Sequence, residues 1–100
     1  MIIIYVTYPN KEEAQRITEH LLNKRLIACA NTFPIKSSYF WKGGIEHSNE
    51  FVSVIKTKKE NWETVKKEIK KLHSYDLPCI LKLDVEADEE YGKWVKEETK

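Results

Sequence analysis

The sequence predicts an α+β domain in which two helices cover one face of an antiparallel sheet. Three observations predict it. A β-branched run opens the chain, apolar residues recur at helical spacing in two later segments, and a Gly-Gly pair after aromatic residues indicates a hairpin. One hundred residues suffice for one domain with a real core, so we predict a single domain over residues 1–100.

The first two elements are a strand and a helix. Residues 2–6, Ile-Ile-Ile-Tyr-Val, lack alternation, which is typical of a central strand buried on both faces. Pro9 ends this strand. Asn10 can cap a helix of roughly 11–24, with Glu13 three residues later as in a capping box. The apolar stripe of this helix comprises Ala14, Ile17, Leu21 and Leu22.

The centre of the chain predicts two strands joined by a hairpin. Residues 26–33 have strand character, and Pro34 interrupts it. Gly43 and Gly44 indicate a hairpin or bulge, and residues 51–56 form the next strand. The residues before the glycines are aromatic: Tyr39, Phe40 and Trp41.

The second half predicts a helix, a strand and a short terminal helix. Thr57 and Glu60 match a second capping box and predict a helix of about 58–72. Residues 79–85 alternate like a half-buried strand whose leucines face the core. The order β-α-β-β-α-β plus a final helix is the ferredoxin-like arrangement. The apolar residues in question are Trp62, Val65, Ile69 and Leu72 in the longer helix, Leu81 and Leu83 in the strand, and Tyr91, Trp94 and Val95 in the terminal helix.

Charge and composition narrow the classes of partner. Seventeen basic and sixteen acidic residues leave a net charge of +1, which is not the basic excess that nucleic acids or anionic membranes require. No apolar run has the length of a membrane span or signal peptide, so we predict a cytoplasmic protein. The Lys/Glu-rich composition is typical of heat-adapted proteins and indicates a thermophile.

Few residues suggest catalysis, and none belongs to a common catalytic motif. Cys29 and Cys79 lie outside any CxxC pair and are expected to be reduced thiols. A Cys79–His73 nucleophile pair is conceivable, but the leucine alternation favours a buried, inert thiol. His73 either interacts with the carbonyls that end its helix or binds a ligand. His20 lies among polar residues and is expected to face solvent.

The predicted hairpin carries two further features. His47, flanked by Glu46 and Glu50, could hold a divalent ion weakly, although a solvated turn is the favoured alternative. The three aromatic residues at 39–41 cannot all face one side of a strand, so at least one is exposed on an isolated chain. Exposed aromatic clusters mark interfaces, and burial between subunits is the favoured explanation.

Several short segments, in this order and spacing, resemble the CutA family of divalent-cation tolerance proteins over essentially the whole chain. The resemblance implies a cytoplasmic, ferredoxin-like homotrimer whose subunits join through long β-hairpins. It also implies a non-enzymatic role in metal tolerance, with binding of copper and other divalent metal ions. The segments are residues 7–9, 28–31, 39–43, 56–57 and 73–78, with Tyr91 and Trp94.

The chain departs from the family at the residues that bind metal in some bacterial members. Val6 stands where those members have a cysteine, Leu72 replaces the first histidine of a His-His pair, and Ser74 replaces the usual proline. Of that set only His73 remains, so we expect a metal site that is weaker than in those members or differently built.

Copper(II) accepts imidazole and carboxylate ligands, which suggests how the remaining residues could bind it. We predict a weak site for copper(II) or another divalent cation at His73, completed by Asp76 or by carboxylates of a neighbouring subunit. Glu46 and His47 provide a second, exposed site.

Three other functions remain as alternatives. A PII-like small-molecule sensor would carry a long flexible loop, whereas residues 34–50 suggest a hairpin. An RNA-recognition sheet would need an aromatic-bearing strand signature that is absent. An enzyme acting in intersubunit clefts could use Lys56, His73 and Tyr75 as acids or bases, but no residue indicates a substrate, so we predict no enzymatic activity.

Overall fold

The chain forms four strands and three helices in the order β1-α1-β2-β3-α2-β4-α3, and a computed structural model describes every residue, Met1–Lys100. The strands are antiparallel, and their order in the sheet is β2-β3-β1-β4. This arrangement confirms the predicted ferredoxin-like α+β fold. The strands are β1 (Ile2–Tyr8), β2 (Cys29–Trp41), β3 (Gly44–Thr57) and β4 (Ile80–Asp84), and the helices are α1 (Lys11–Asn23), α2 (Trp62–Leu72) and α3 (Glu89–Glu98).

The N-terminal β-branched run forms a central strand, as predicted, but only one of its two faces is fully buried, and not both. Alternate residues of β1 (Ile2, Ile4, Val6 and Tyr8) are fully buried in a core shared with α1 and α2. The residues between them are only half-buried on the opposite side of the sheet. We call this side, which α1 and α2 leave uncovered, the open face.

Helix α1 begins as the sequence predicts, but only half of its capping box forms. The Asn10 side chain accepts a hydrogen bond from the Glu13 amide at 2.8 Å. The Glu13 carboxylate does not return to Asn10 and instead accepts from the Ser74 amide at 3.1 Å. Ala14, Ile17 and Leu21 are buried as expected, whereas Leu22 is 39% exposed and does not belong to the core.

The second predicted capping box is wrong. Thr57 ends β3, and its hydroxyl donates to the Leu26 carbonyl at 2.7 Å, so it does not cap the next helix. A 3₁₀ turn over Lys59–Asn61 intervenes, and α2 therefore starts at Trp62, later than predicted.

The hairpin between β2 and β3 is confirmed and is longer than the predicted strands. Its pairing runs from Cys29↔Lys56 to Trp41↔Gly44. Lys42 and Gly43 both have positive φ angles, 50° and 81°, the combination a type I′ turn requires. Pro34 does not interrupt β2, because β2 is an edge strand, where a missing N–H is tolerated.

The prediction that the β4 leucines face the core is wrong. Leu81 and Leu83 are 54% and 53% exposed. They pair with Tyr5 and Ile3 and therefore lie on the open face. Alternation alone separates the two faces of a strand, but it does not tell which face the helices cover.

The helices are short, and none of them is long and apolar enough to cross a membrane. In α3, Val95 is buried, as its position on the predicted stripe suggests. Tyr91 and Trp94 lie about two-fifths exposed with their ring centroids 5.6 Å apart.

Candidate functional site

The open face carries a groove of ≈ 630 Å³ at the base of the β2–β3 hairpin, which we call the aromatic groove. Alternate residues of β2 from Ile35 to Trp41 share one side of the strand and line it, and Ser38 and Phe40 line it as well. Residues of β1, Glu50 of β3 and residues of the segment between α2 and β4 form the rest of its wall. Its lining consists of Tyr5, Thr7, Ile35, Ser37, Ser38, Tyr39, Phe40, Trp41, Glu50, Tyr75, Leu77 and Cys79.

Glu50 is the one charged residue in the aromatic groove. Glu50 is only 7% exposed. No Lys, Arg or His side chain forms an ion pair with its carboxylate. Its single hydrogen bond comes from the Tyr75 hydroxyl, which donates to Oε2 at 2.7 Å. Burial, followed by this bond to a carboxylate, raises the pKa of Tyr75, so the phenol stays a donor.

His73 holds Tyr75 in place. The His73 Nε2–H donates to the Thr7 carbonyl at 2.7 Å, and Nδ1 accepts from the Tyr75 amide at 3.1 Å. Both bonds together require the neutral tautomer with its proton on Nε2. The ring also lies 4.9 Å from the Tyr75 ring and stacks on Tyr8 at 5.4 Å.

The core supports this arrangement from α1 and β1. Tyr8 is fully buried and hydrogen-bonds with the Ser53 hydroxyl at 2.7 Å, and burial raises its pKa to about 12. The Glu13 carboxylate lies 3.4 Å from His73 Nδ1 while it accepts from the Ser74 amide. The start of the segment after α2 is therefore fixed by side chains of two other elements.

Cys79 lies at the edge of the aromatic groove and is half-buried. Its predicted core leucine neighbours face the open side, so that part of the prediction is wrong. Burial nevertheless raises the pKa of the Cys79 thiol, which disfavours the reactive thiolate. Cys29 and Cys79 are both free, so they do not form a disulfide.

The structure does not gather the four residues predicted to bind metal. His47 shares a hydrogen bond with the Ser38 hydroxyl through Nδ1 at 2.9 Å, and its Nε2 has no partner. Glu46 points to the opposite side of the hairpin, because consecutive strand residues alternate. Asp76 is exposed in the bend after α2, and His73 has both nitrogens engaged. No group of three or more His, Cys, Asp or Glu side chains that could hold a metal occurs in the chain.

Of the three residues considered as acids or bases, His73 and Tyr75 lie side by side, whereas Lys56 lies apart from them. Lys56 lies on the same side of β3 as Glu50 but six residues away, a distance of about 20 Å along a strand. Its ammonium donates to the Asn31 side chain and lies 3.9 Å from the Cys29 sulfur. Lys56 is therefore remote from Tyr75, which contacts Glu50.

Glu50 is the residue that the sequence reasoning missed as part of a groove. Its signal is visible in retrospect, because Glu50 alternates with Val52 and Val54 along one side of β3. A carboxylate at an otherwise apolar position of a central strand indicates a buried polar contact. The partner, Tyr75, is 25 residues away, so the contact itself was not predictable.

Comparisons with known proteins give one consistent result. A family model described as "CutA1 divalent ion tolerance protein" matches residues 2–98. The "Divalent-cation tolerance protein CutA" of Pyrococcus horikoshii is 46% identical to this chain, covering 100% of the chain and 99% of that relative. A rice relative, "Protein CutA 1, chloroplastic", is 33% identical over 99% of this chain and 57% of its own length.

Solved structures agree with the sequence comparisons. A crystal structure of a mutant of CutA1 from Pyrococcus horikoshii superposes with a TM-score of 0.98 at 46% identity, over 100% of this chain and 99% of that one. The apo "PII-like protein CutA" from a Nostoc species gives a TM-score of 0.94 at 32% identity, over 100% of this chain and 98% of that one.

Proposed function

Since the chain belongs to the CutA1 family of divalent ion tolerance proteins, we propose that it acts in divalent-cation tolerance as a homotrimer that binds copper(II) weakly. The observation that carries the proposal is the end-to-end match of sequence and fold to that family. The family is described by ion tolerance and not by a reaction, and Lys56 lies far from Tyr75. We therefore propose a non-enzymatic role.

The open face supports the oligomer. It exposes Leu81, Leu83 and Phe33, and the hairpin exposes Trp41 by 50%. Several large apolar side chains thus lie exposed on one face, and monomeric proteins rarely leave a large apolar patch in water. Association of three chains through this face and their hairpins would remove it from solvent.

Light scattering tests the trimer. We expect a mass three times the 11.8 kDa of one chain at micromolar concentration. A Leu81→Glu/Leu83→Glu variant should dissociate, because it places charges on the open face. Lys82→Ala, on the other side of the same strand, should keep the parent mass. A monomeric parent protein would contradict the proposal.

The two histidines proposed to bind copper(II) differ in whether a ring nitrogen is free to coordinate the metal. His47 offers a free Nε2, whereas His73 would first have to release the Tyr75 amide or the Thr7 carbonyl. Copper(II) needs several nitrogen or oxygen ligands, which one chain does not gather. We propose that His47 and Glu46 of neighbouring subunits form the accessible class of sites, and that His73 with Asp76 contributes only when its segment opens.

Titration calorimetry with copper(II) tests this assignment. Binding should weaken as the pH falls, because an imidazole must lose its proton to coordinate. His47→Ala should remove the accessible class of sites, whereas His20→Gln, which removes an imidazole elsewhere, should not. His73→Ala should change copper(II) binding less than His47→Ala. Unchanged binding in His47→Ala would refute the assignment.

A PII-like small-molecule sensor is the alternative function, and two observations favour it. The aromatic groove has the volume of a small-molecule site, and the Nostoc relative is described as PII-like. Against it, residues 34–50 are paired in a hairpin and do not form a free loop. Binding of a nucleotide in the absence of metal, measured by calorimetry, would favour the sensor.

We propose a cytoplasmic location, which the two unpaired cysteines support, because reducing compartments keep thiols free. Fractionation of the native cells, with detection by antibody, tests the compartment. Recovery with an extracytoplasmic fraction would contradict it.

A further inference from the structure

Ser38 and His47 form a hydrogen-bonded pair across the β2–β3 hairpin. The two residues lie directly opposite each other in the strand register, and the Ser38 hydroxyl lies 2.9 Å from Nδ1 of the imidazole. His47 shares its side of β3 with Phe51, which pairs with the buried Tyr8. The pair therefore lies on the side of the sheet that carries the helices, opposite the open face. Because both side chains belong to one chain, association through the open face leaves this bond in place.

The bond engages one ring nitrogen of His47 and leaves the other for a metal ion. A neutral imidazole has one N–H group and one nitrogen with a free lone pair. When Nδ1–H donates to the Ser38 hydroxyl, the lone pair is on Nε2, which is the nitrogen without a partner. A serine hydroxyl can accept as well as donate, so Ser38 can stay bonded to Nδ1 while Nε2 coordinates.

The cleft around this pair supplies no other strong ligand. It has a volume of ≈ 290 Å³, and neither Asp nor Glu lines it. A metal ion would therefore bind one imidazole here and take its remaining ligands from a neighbouring subunit or from water. With a single imidazole, the affinity depends strongly on how the ring is oriented. The lining consists of Lys36, Ser37, Ser38, His47, Ser48 and Asn49.

We propose that Ser38 positions His47 for divalent metal ions, its hydroxyl accepting Nδ1–H and directing Nε2 to the metal. This inference rests on the proposed binding of copper(II) at His47. Histidines that bind metals usually donate their other N–H to an oxygen atom, which fixes the tautomer and the ring orientation and makes the coordinating nitrogen more basic. Removing such an oxygen typically lowers metal affinity about 10–100-fold.

Titration calorimetry of the full-length protein with copper(II) tests the proposal. Ser38→Ala should bind copper(II) at His47 at least about tenfold more weakly than the parent. Ser38→Thr keeps the hydroxyl on a residue that suits a strand, so it should restore most of the affinity. Ser37→Ala is the matched control, because it removes a hydroxyl of the same cleft that makes no bond to His47. This variant should bind as the parent does.

The identity of the coordinating nitrogen gives a readout that a general loss of hairpin structure would not produce. With zinc(II) as a diamagnetic probe, long-range ¹H–¹⁵N NMR spectra of the parent should show His47 coordinated through Nε2, with the proton on Nδ1. In Ser38→Ala the ring is free to turn, so coordination through Nδ1 should appear as well. Ser38→Thr should again show coordination through Nε2 alone.

The outcomes separate this inference from the proposed function. If Ser38→Ala keeps the parent affinity and coordinates only through Nε2, Ser38 has no positioning role, whereas loss of binding in His47→Ala would still support the copper(II) site. A loss of affinity that Ser38→Thr does not restore, or that Ser37→Ala shares, also overturns the role of Ser38. Parent-like copper(II) binding in His47→Ala refutes both proposals.

Discussion

At the scale of single residues, the contacts of two histidines differ from those that the surrounding sequence indicates. His20 was expected to face solvent, but its Nε2 lies 2.8 Å from the Glu68 carboxylate on α2. His73 ends a helix, as predicted, yet its partners are a carbonyl of β1 and the amide of Tyr75. The carboxylate and the carbonyl belong to elements far away in sequence, so spacing alone could not predict them.

The buried contacts of His73 predict a structural cost for its removal. His73→Ala would leave the Thr7 carbonyl and the Tyr75 amide without partners and open a cavity beside Tyr8. We expect a loss of about 2–4 kcal/mol in the free energy of unfolding, measured with urea at one protein concentration. His47→Ala, on the exposed hairpin, should lie within about 0.5 kcal/mol of the parent. Equal stability of both variants would refute the structural role of His73.

Glu68 joins α1 and α2 and predicts a dependence of stability on pH. Hydrogen bonds from His20, Lys24 and Lys71 lower the pKa of Glu68 from 4.5 to about 2. Because the folded pKa lies below the unfolded one, the stabilisation is fully present above about pH 4.5 and is lost as the pH falls towards 2. Glu68→Gln should therefore lower the urea midpoint at pH 7, with the difference vanishing near pH 2.

The control for Glu68 is Glu63, an exposed α2 residue that pairs only with Lys66. Glu63→Gln should change the midpoint little at either pH, because exposed ion pairs contribute little. A Glu68→Gln difference that persists unchanged at pH 2 would exclude the linkage.

At the scale of elements, the position of the β2–β3 hairpin was predicted correctly from the sequence, whereas the buried face of the β4 strand was predicted wrongly. The glycine pair after an aromatic run correctly located the hairpin, although the two residues with the positive φ angles of a type I′ turn are Lys42 and Gly43. The alternation in β4 was also real, but it was assigned to the wrong face. Turn chemistry is local, whereas the covered face depends on where the helices pack.

The turn predicts a difference between its two glycines. Gly43 has a φ of 81°, which an alanine adopts only with strain, whereas Gly44 has no such constraint and no atom within 4 Å of an added Cβ. We expect Gly43→Ala to cost about 1 kcal/mol and Gly44→Ala to be nearly neutral, from urea unfolding of both variants. Indistinguishable midpoints would show that the turn is not fixed by Gly43.

At the scale of the whole molecule, the open face and the long hairpin determine the shape of the chain and carry most of its exposed apolar residues. The chain extends over 45 × 24 × 21 Å, because the paired strands project beyond the helices. The apolar residues on this projection and on the open face have no partner within one chain. The proposed trimer and the aromatic groove therefore lie on the same side of the sheet.

The composition and the proposed assembly predict high thermal stability. The Lys/Glu-rich surface forms ion pairs around Glu68, and such networks stabilise most at high temperature. We expect calorimetry to show a transition above roughly 65 °C. The midpoint should also rise with protein concentration, since association stabilises the folded chain. A concentration-independent transition within roughly 45–65 °C would contradict both expectations.

The sequence by itself determined the order of the elements and the position of the hairpin. These features follow from local steric preference and hydrophobic period, which act between neighbouring residues. The same reasoning identified His73, Tyr75 and Trp41 as residues of interest, and the resemblance to the CutA family was confirmed by the comparisons.

Only the tertiary structure decided how those residues are used. Tyr75 donates a hydrogen bond to Glu50, 25 residues away in sequence, and His73 donates one to Thr7, 66 residues away. Strand register and helix packing bring these distant segments together. The helices also decided which side of the sheet stays open, and thus that Leu81 faces outward. Such choices depend on the packing of the whole chain, which no local pattern encodes.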